Sequence, residues 1–594
     1  MNRGLIVIVP SFEKGKGGGH LCRCIALTRD LRASGRQAFL FLPEQDASLE
    51  QDECLAHLFQ SMNFDPAWRV TKWQTENESE KTEIVIMDNF QTTRDELLRW
   101  KKIAPVAGID EGGKWRDSFD FLIDILVPEK LGRPPANITK PSLLNFPQKQ
   151  FRKKNSKDAL KVLVTFGQED SAGLGPAIAR SLSAKNAGSM EITLLRGALA
   201  KSGETEYPAN VRVTGAIPSL AEHLGEYDLV ITHYGITAYE ALYSGTPVIL
   251  ASPTAYHAKL AKAAGFYPWL NSLNLNFLEK LKKHCEKLAV KYGLDTEGES
   301  LASLCGGFSP LVNRRCPVCG ADVPEQSVSR FADRTYRRCS NCGVIFMDRT
   351  GPAPIEYERE YFFESYKRQY GKTYLEDFDN IKASGIRRLE IIKSLLPSPT
   401  STRTLLDIGC AYGPFLAAAR EEGFSPSGID PAQDAVRYVT QELKLPAVQG
   451  FFPNSPLPDS DTQTYSAVTL WFVIEHFTDC AAVLAAIKKI LASGGILAFS
   501  TPSFSGVSGR ACLRRFLEAS PADHFTVWSP EMCKKALAFS GFKVKKTASI
   551  GHHPERFPLL GKFAKSKKSP LYWPLLAISK IFKLGDTFEV YAQV

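Results

Sequence analysis

Short apolar segments alternate with amphipathic helical stretches along most of the chain. In the first half, an apolar segment at Leu5–Val9 precedes a glycine-rich turn and a helical pattern from Leu21 to about Ser34. A similar series starts at Lys161–Phe166. Because strands that alternate with helices form parallel sheets, we predict two α/β domains at 1–135 and 155–312, with a cleft between them.

The second half of the chain shows the same alternation after a short cysteine-bearing segment. We predict a small module at residues 313–350 and a third α/β domain at 357–594, so the fold class is multidomain α/β. The strands of this third domain are predicted near 405–408, 427–430, 467–470 and 496–501.

Composition excludes several classes of protein. Hydrophobic residues make up 44% and charged residues 23% of the 594 residues, which is typical of a globular protein rather than a disordered one. The longest apolar runs are far shorter than the ~20 residues of a membrane-spanning helix. Met1–Pro10 fits a buried strand better than a signal peptide, so we expect a cytoplasmic protein.

Charge and cysteine usage add little to this picture. The net charge of +9 is a mild excess that does not require a nucleic acid partner. Most of the 13 cysteines lie in apolar stretches, as expected of buried small side chains in a reducing compartment.

A glycine-rich turn carries the first candidate chemistry. Gly17, Gly18 and Gly19 precede His20 at the start of the first predicted helix. Glycines at a helix N-terminus let backbone N–H groups approach an anion, and a histidine there is suited to general-base work. The alternative is a flexible turn with a capping histidine.

The second α/β domain contains a complementary pattern. Gly235 and Thr237 follow a strand at a helix N-terminus, which predicts another anion site. Glu240, one turn further, has the reach to accept two ribose hydroxyls. The alternative for Glu240 is a solvated helix residue.

Together these residues resemble a known family. The pattern Gly-x-Gly-His-x-x-Arg-Cys, then Gly-x-Thr-x-x-Glu, then Gly-x-Pro is similar to the UDP-sugar hydrolase of pseudaminic acid biosynthesis, a relative of the two-domain GT-B glycosyltransferases. The resemblance covers residues 4–290 and implies a GT-B-like pair of Rossmann-type domains. It implies a nucleotide sugar, UDP-linked, as the ligand.

The same resemblance assigns roles to individual residues. By it, His20 activates a water or an acceptor for attack at the anomeric carbon. The residues that it places in the nucleotide-sugar site are Gly17, Gly19, Arg23, Asp88, Gly235, Thr237 and Glu240. The chain departs from the family at Val9–Glu13 and at His233–Tyr234, which leaves open the sugar and the choice between hydrolysis and glycosyl transfer.

Four cysteines are paired by spacing. Cys316 and Cys319 form one Cys-x-x-Cys pair and Cys339 and Cys342 another, each followed by a glycine. This spacing predicts a closed, tetrahedral and structural Zn²⁺ site in a zinc-ribbon module; free thiols or two redox pairs are the alternative.

Arginines lie close to the predicted zinc site and leave two readings open. In the first interpretation, the arginines of the zinc ribbon bind nucleic acid. In the second, they form a solvated basic surface on a small metal-dependent module. Few aromatic residues suited to base stacking are nearby, which favours the second. The arginines are Arg314, Arg315, Arg334, Arg337 and Arg338.

An apolar strand that ends in Asp407 and a Gly409-x-x-x-Gly413 turn form the clearest motif in the chain. Such a turn places backbone against a ligand at the carboxyl end of a parallel strand. Asp430 ends the next strand with an acid suited to ribose hydroxyls. The absence of a Lys-Ser/Thr after the loop argues against a nucleoside triphosphate site.

This part of the chain resembles the class I S-adenosylmethionine (SAM)-dependent methyltransferases over about residues 357–594. The resemblance implies SAM as cofactor, held by Asp407, Gly409, Gly413, Asp430 and Glu475. Glu475-His476 follows the fourth strand, where this family often has a similar pair. If the methyl acceptor is a hydroxyl or amine, His476 and His524 are the candidate bases.

A basic and aromatic insertion separates the two closing strands of this domain, at residues 554–584. We interpret it either as a lid over the active site or as a surface that rests on a membrane or contacts a lipid-linked substrate.

These features favour a bifunctional enzyme of surface-glycan or nonulosonic-type sugar biosynthesis. One half would methylate a sugar or glycan acceptor, and the other would hydrolyse or transfer a nucleotide sugar. Two alternatives remain: a zinc-ribbon RNA methyltransferase with a non-catalytic N-terminal half, and a methyltransferase regulated by a nucleotide-sugar sensor domain.

Overall fold

The computed structural model describes residues 4–11, 18–43, 55–56, 58–73, 82–89, 91–128, 131, 134–144, 146, 159–167, 170, 172–185, 189–197, 206–215, 217, 219–270, 275–294, 299–352, 363–364, 366–397, 403–458 and 464–594. The chain divides into two compact units, Met1–Pro310 with Arg330–Arg334, and Leu311–Ser329 with Thr335–Val594. The finer boundaries 1–135, 155–312, 313–350 and 357–594 stay predictions.

A parallel sheet opens the first unit. Its strand order is β3-β2-β1-β4-β5-β6-β7, and each neighbouring pair is parallel. The strands are β1 Leu5–Pro10, β2 Ala38–Phe41, β3 Arg69–Val70, β4 Thr82–Asp88, β5 Val106–Ile109, β6 Phe121–Asp124 and β7 Ile138–Thr139, with helices α1 Gly19–Ala33 and α2 Arg94–Lys101. The central residues of β1 are buried on both faces, which explains why this strand is a continuous apolar run rather than an alternating one.

A second parallel sheet in the same unit has the order β10-β9-β8-β11-β12. Its strands are β8 Leu160–Thr165, β9 Met190–Leu195, β10 Val211–Thr214, β11 Leu229–Thr232 and β12 Val248–Leu250. The helices that follow along the chain are α3 Leu174–Lys185, α4 Leu220–His223, α5 Ile236–Tyr243, α6 Ala255–Ala264, α7 Leu275–Lys291 and α8 Leu301–Gly306. In both sheets the strand order reverses beside the first strand, and such switch points are where α/β sheets bind ligands.

The cysteine-bearing segment forms a small sheet that includes a strand from much later in the chain. The order is β13-β14-β15-β21, from β13 Ser327–Phe331, β14 Arg334–Arg338, β15 Ile345–Arg349 and β21 Thr526–Val527. β15 and β21 are antiparallel, with Phe346 opposite Thr526. Buried side chains of this segment share one core with the sheet that follows.

The largest sheet of the second unit has the order β18-β17-β16-β19-β20-β23-β22. Its strands are β16 Thr404–Ile408, β17 Ser425–Asp430, β18 Ala447–Gln449, β19 Tyr465–Trp471, β20 Leu491–Pro502, β22 Lys543–Ile550 and β23 Thr587–Gln593. The first five are parallel. The last strand, β23, lies antiparallel between β20 and β22, as the predicted closing pair requires.

Helices and short 3₁₀ turns cover this sheet. The helices are α9 Tyr366–Tyr370, α10 Phe378–Leu395, α11 Pro414–Glu421, α12 Gln433–Gln441, α13 Cys480–Ile490, α14 Val507–Ala511, α15 Leu513–Ala519, α16 Pro530–Phe539 and α17 Tyr572–Ile581. Among the helices in the described ranges, none has the length and apolarity needed to span a bilayer.

An ion cluster around the buried Glu589 holds α10 against the sheet. Glu589 on β23 accepts hydrogen bonds from Arg388 Nε at 2.8 Å, from Arg387 Nη2 and from the Tyr591 hydroxyl. Burial alone would raise the pKa of Glu589, but the charge of Arg388 and the hydrogen bonds from both arginines lower it below its ordinary value. Arg388 also lies over the Trp471 ring, 4.1 Å from its centroid. The helix that precedes the motif strand β16 is thereby held against the sheet.

Candidate functional site

The turn after β16 has a backbone shape that demands glycine. Gly409 and Gly413 both have φ of +75°, in the left-handed region that side chains disfavour. A Cβ on Gly409 would lie 2.5 Å from Val473 Cγ2, and one on Gly413 would lie 2.8 Å from Val439 Cγ2. The turn therefore brings the backbone of residues 409–413 closer to its neighbours than any other residue type permits.

Two buried carboxylates stand at the ends of adjacent strands. Asp407 accepts a hydrogen bond from Thr469 Oγ1 at 2.5 Å, and Asp430 accepts the backbone N–H groups of Ala411 and Ala432 at 2.8 and 2.9 Å. Burial raises the pKa of Asp407 to about 7 and that of Asp430 to about 6. Because Ala411 is part of the glycine turn, its hydrogen bond to Asp430 holds the turn in place. This donor and acceptor set, at the carboxyl ends of parallel strands, fits the hydroxyls and amine of a nucleoside-type cofactor.

Tyr374 was not identified from the sequence, although it lies at this site. The negative charges of Asp407 and Asp430 reinforce burial in raising the pKa of its hydroxyl. Its ring lies 6.2 Å from that of Tyr412, which is part of the glycine turn. Tyr374 precedes β16 by about thirty positions and matches no motif, so only the packing of the preceding segment reveals it.

The histidine pair predicted as candidate bases comes together next to this turn. The rings of His476 and His524 lie 4.7 Å apart and nearly perpendicular. Asp523 Oδ2 lies 3.0 Å from His476 Nδ1. Burial would lower the pKa of His476, but the hydrogen bond that its ring donates to Asp523 and the charges of Glu475 and Asp523 raise it. This is the arrangement of a histidine base held by a carboxylate.

Glu475, predicted as a cofactor ligand, is buried beneath the site. Burial raises the pKa of its carboxyl to about 7, partly offset by the charge of His476. Asp523 does not lie in a strand-end motif, so its place beside His524 is the one feature of the sequence that points to it.

The segment that carries Asp523 and His524 is held by the cysteine-bearing sheet. The Met347 N–H donates to the Phe525 carbonyl at 3.0 Å, and Arg349 Nη1 donates to the Ala522 carbonyl at 2.7 Å. These two bonds flank Asp523 and His524 on either side. The cysteine-bearing sheet therefore positions His524 and Asp523, the carboxylate partner of His476.

The four cysteines form one cluster, as their spacing predicts. Cys316 Sγ lies 3.6 Å from Cys342 Sγ, and Cys319 Sγ lies 3.6 Å from Cys339 Sγ. All four sulfur atoms lie within 4.8 Å of one another. A tetrahedral zinc ion with ~2.3 Å bonds would place its sulfur ligands about 3.8 Å apart. The thiol arrangement therefore fits a zinc ion.

In the first unit, His20 lies at the start of α1 and contacts the carboxyl end of β4. His20 Nδ1 lies 2.6 Å from Asp88 Oδ1. Burial would lower the pKa of His20, but the Asp88 carboxylate raises it above its ordinary value. The pKa of Asp88 is itself held well below its usual range, against the effect of burial, by the charges of Arg23 and His20. His20 is partly exposed, so its ring can reach a ligand.

Arg23 and Asp88, both predicted to lie in the nucleotide-sugar site, pair with each other in the structure. Both are buried, and Arg23 donates to Asp88 from Nε at 2.6 Å and from Nη2 at 2.7 Å. Its remaining nitrogen, Nη1, donates to Asp110 at 2.6 Å. These atoms pair with one another, and Asp88 also contacts His20, so the two residues are part of the network around His20. Their contact with a nucleotide sugar stays a prediction. Asp110 was missed, although it directly follows β5 and Asp88 is the last residue of β4.

Asp110 also connects the two sheets of this unit. Its Oδ1 accepts the N–H of Leu126 at 2.8 Å, and the Leu126 carbonyl accepts the Tyr234 hydroxyl at 2.5 Å. The departure from the resembling family at His233–Tyr234 thus supplies a contact that glycine could not make.

The predicted ligand-binding residues of the second sheet gather at the start of α5. Gly235 precedes the helix, Thr237 lies in its first turn and Glu240 one turn further. Burial raises the pKa of Glu240 to about 7, partly offset by a hydrogen bond with Thr237. The charge of Glu240 acts on Cys22 of α1, so the two helix starts lie near each other. Gly19 is the first residue of α1, and Gly17 lies outside the described residues.

Comparison with known proteins agrees with the fold of the second unit. Residues 383–547 match a family model described as a methyltransferase domain. With the glycine turn, the two strand-end acids and the antiparallel last strand, this defines a class I SAM-dependent methyltransferase domain. SAM is accordingly its cofactor.

Curated relatives match part of the chain. A ubiquinone biosynthesis O-methyltransferase of Methylococcus capsulatus is 24% identical over 161 residues, which cover 26% of this chain and 68% of that protein. A protein of the same name from Alkalilimnicola ehrlichii is 29% identical over 102 residues, 17% of this chain and 41% of that one. A third, from Psychrobacter arcticus, is 23% identical and is covered over 63% of its length. The last two are covered over less than two thirds of their length.

Solved structures are similar to parts of the chain. A SAM-dependent methyltransferase from Archaeoglobus fulgidus matches with a TM-score of 0.28 and 19% identity, over 39% of this chain and 100% of that one. The glycotransferase of kitacinnamycin matches with a TM-score of 0.33 and 13% identity, over 50% of this chain and 95% of that one.

The glycine turn yields a direct test. Replacing Gly409 with Ala should weaken SAM binding by at least about tenfold and destabilise the domain, because the added Cβ meets Val473 at 2.5 Å. Gly423→Ala is the matched control, since Gly423 has φ of +78° but no atom within 4 Å of the added Cβ. Isothermal titration calorimetry with SAM measures both. Equal losses in the two variants would show that backbone conformation alone, and not the close approach, matters.

Proposed function

We propose that the second unit transfers a methyl group from SAM to a hydroxyl of a sugar or sugar derivative, with His476 as the general base. The observation that supports this most directly is the His476–Asp523 pair, beside a SAM turn and partly open to solvent. The curated relatives are O-methyltransferases by name, which favours an oxygen acceptor.

In this proposal, each residue has a limited task. SAM, when bound, supplies a methyl group activated by a positive sulfur. Asp407 and Asp430 hold and orient the cofactor from the strand ends. His476 accepts the proton of the acceptor hydroxyl, and Asp523 fixes the ring and stabilises the imidazolium that results. His524 packs against His476 and closes one side of the acceptor site.

The pH dependence of methylation tests the base. His476 acts when neutral, so the rate should rise with pH until the raised pKa of His476 is passed. Asp523→Asn removes the charge that raises this pKa, so the rise should move to lower pH and the maximal rate should fall about tenfold. Initial rates with labelled SAM and a nucleotide-sugar fraction measure the profile.

The control for this experiment is Asp479→Asn. Asp479 is exposed at the start of α13 and accepts the Ala482 N–H, which asparagine can also accept. This variant should keep the wild-type profile. An unshifted profile in Asp523→Asn would remove His476 from the role of base.

For the first unit, we propose a nucleotide-sugar site in a GT-B-like pair of domains, with His20 as the base and Glu240 on the ribose. The His20–Asp88–Arg23–Asp110 network supports this proposal. In it, three buried charged residues orient one partly exposed histidine. Thr237 and Gly235, at the helix start, would receive the phosphates.

Turnover of UDP-hexoses tests the base in the first unit. His20→Asn should lower the release of UDP or of sugar by about a hundredfold or more while nucleotide binding changes little. His223→Asn, an exposed histidine on α4, is the control. Binding of UDP-hexose by the wild type without any turnover would favour a sensor domain over an enzyme.

We also propose that the cysteine cluster holds a structural zinc ion. All four sites on the metal would be filled by thiolates, so it would stabilise the sheet that carries Asp523 and His524 rather than react. The RNA-binding alternative has less support, because Arg334 and Arg337 are buried and unavailable to a phosphate backbone.

Metal analysis and unfolding test this zinc site. The purified protein should contain about one zinc ion per chain, and Cys342→Ser should lose it, with a lower midpoint of thermal unfolding. Methyl transfer should fall with the metal, since β15 holds β21. Cys512→Ser, at an exposed cysteine, should change none of these. A stable and active Cys342→Ser variant without zinc would contradict the proposal.

A further inference from the structure

The insertion between β22 and β23 exposes an unusual combination of apolar and basic side chains. Exposed fractions reach 87% for Leu559, 72% for Ile581 and 67% for Phe582. Other large apolar side chains of the insertion are exposed as well, namely Leu560, Phe563, Trp573 and Ile578. Scattered apolar residues are common on protein surfaces, but a dense group of this kind marks an interaction site.

Helix α17 differs from an ordinary surface helix because large apolar side chains lie on its exposed side. Leu575 and Ser579, four residues apart, are its buried positions, and Ser579 Oγ contacts His552 Nδ1 at 2.8 Å. At 100° per residue, Trp573 and Ile581 each fall about 140° from the centre of this buried seam, on the opposite face, and Ile578 falls about 80° from it, on the flank. All three side chains are exposed. The helix is therefore attached by a narrow seam. On its outer face, Trp573 Nε1 donates to the Lys567 carbonyl at 3.1 Å, while the rings and aliphatic groups of Trp573 and Ile581 stay exposed beside Lys580.

The insertion is an ordered part of the domain rather than a loose loop. Its base is fixed by Asp586, which accepts hydrogen bonds from Arg556 Nη1 at 2.9 Å and from Ser508 Oγ at 2.6 Å. The Val507 N–H donates to the Leu584 carbonyl at 3.0 Å. These contacts fix the base of the insertion, so its apolar side chains are exposed on a folded part of the domain.

The charged side chains around these apolar residues are almost all positive. Residues 554–584 contain seven basic side chains and one acidic side chain, Glu555. All seven basic residues are exposed: Arg556, Lys562, Lys565, Lys567, Lys568, Lys580 and Lys583. Apolar side chains inside a ring of lysines complement a bilayer with anionic headgroups, where the apolar groups enter the acyl boundary and the lysines meet the phosphates.

The insertion also leaves the sheet at the edge where the methyltransferase site lies. Thr587, at the start of β23, pairs with Pro502 at the carboxyl end of β20 and with Ile550 at the end of β22. Since β20 is parallel to β16 and β17, this is the edge that carries Asp407 and Asp430.

We propose that residues 554–584 form a membrane-docking surface that binds the headgroups and outer acyl region of an anionic lipid bilayer. Docking there would bring the methyltransferase site close to the plane of the membrane, where amphiphilic acceptors are found. The surface enters the bilayer only to the depth of its side chains.

Vesicle sedimentation with the full-length protein tests this. The protein should bind phosphatidylcholine vesicles that contain phosphatidylglycerol more strongly than pure phosphatidylcholine vesicles, and salt should weaken that binding. Replacing Lys567 or Lys568 with Ala should each lower binding about fivefold. Leu559→Ser with Ile581→Ser should lower it at least about tenfold.

Matched controls come from exposed residues far from the insertion in sequence. Lys282→Ala and Lys283→Ala lie on α7, and Leu270→Ser and Val290→Ser remove apolar side chains that are 59% and 64% exposed. These variants should bind vesicles as the wild type does. SAM binding and thermal unfolding of each variant confirm that the fold is kept.

Three outcomes would overturn the proposal. One is a wild-type protein that ignores anionic vesicles, and another is equal loss of binding in the insertion variants and the controls. The third is a concentration-dependent dimer that Leu559→Ser with Ile581→Ser dissolves, without vesicle binding, which would make the face a self-contact. The experiment measures binding alone, so its result is separate from whether a sugar is the methyl acceptor.

Discussion

The pairing of β15 with β21 is the constraint on which the second unit depends. β15 belongs to the cysteine-bearing segment and β21 to the methyltransferase domain, about 180 positions later in the chain. Two further hydrogen bonds from β15 hold the backbone on both sides of Asp523 and His524. A segment with so little regular structure of its own would otherwise be free to move, and a histidine base requires a fixed carboxylate partner.

In the first unit, ion pairs rather than strand pairing hold the candidate base, His20, in place. His20 is oriented by Asp88, Asp88 by Arg23, and Arg23 by Asp110 as well. Burying these groups is costly unless each is paired, and here each charge meets an opposite one at hydrogen-bond distance. Removing one member would leave a buried charge without its partner, so the network keeps one geometry. The backbone of Leu126 and the hydroxyl of Tyr234 extend it to the second sheet.

Both units therefore present a partly exposed histidine backed by a carboxylate at the edge where parallel strands end. The insertion at 554–584 adds a third element at such an edge, because β23 runs antiparallel and begins where β20 ends. The two proposals place a bilayer-docked methyltransferase and a nucleotide-sugar site on one chain, and such linkage raises the effective concentration of a substrate that both sites use.

The sequence by itself determined the parallel sheets, the glycine turn with its acids and the cysteine cluster. These features depend on local patterns: an apolar run, an acid at a strand end, a glycine where φ is positive, or a pair of cysteines on one turn. Tyr374, Asp110 and Asp523 were beyond its reach, because their positions depend on contacts between segments far apart in the chain. Arg23 and Asp88 were predicted as ligands by family resemblance, and only the fold shows that their charges pair with each other. Only tertiary packing decides which polar group faces solvent and which faces another side chain, since an unpaired buried charge is too costly to keep.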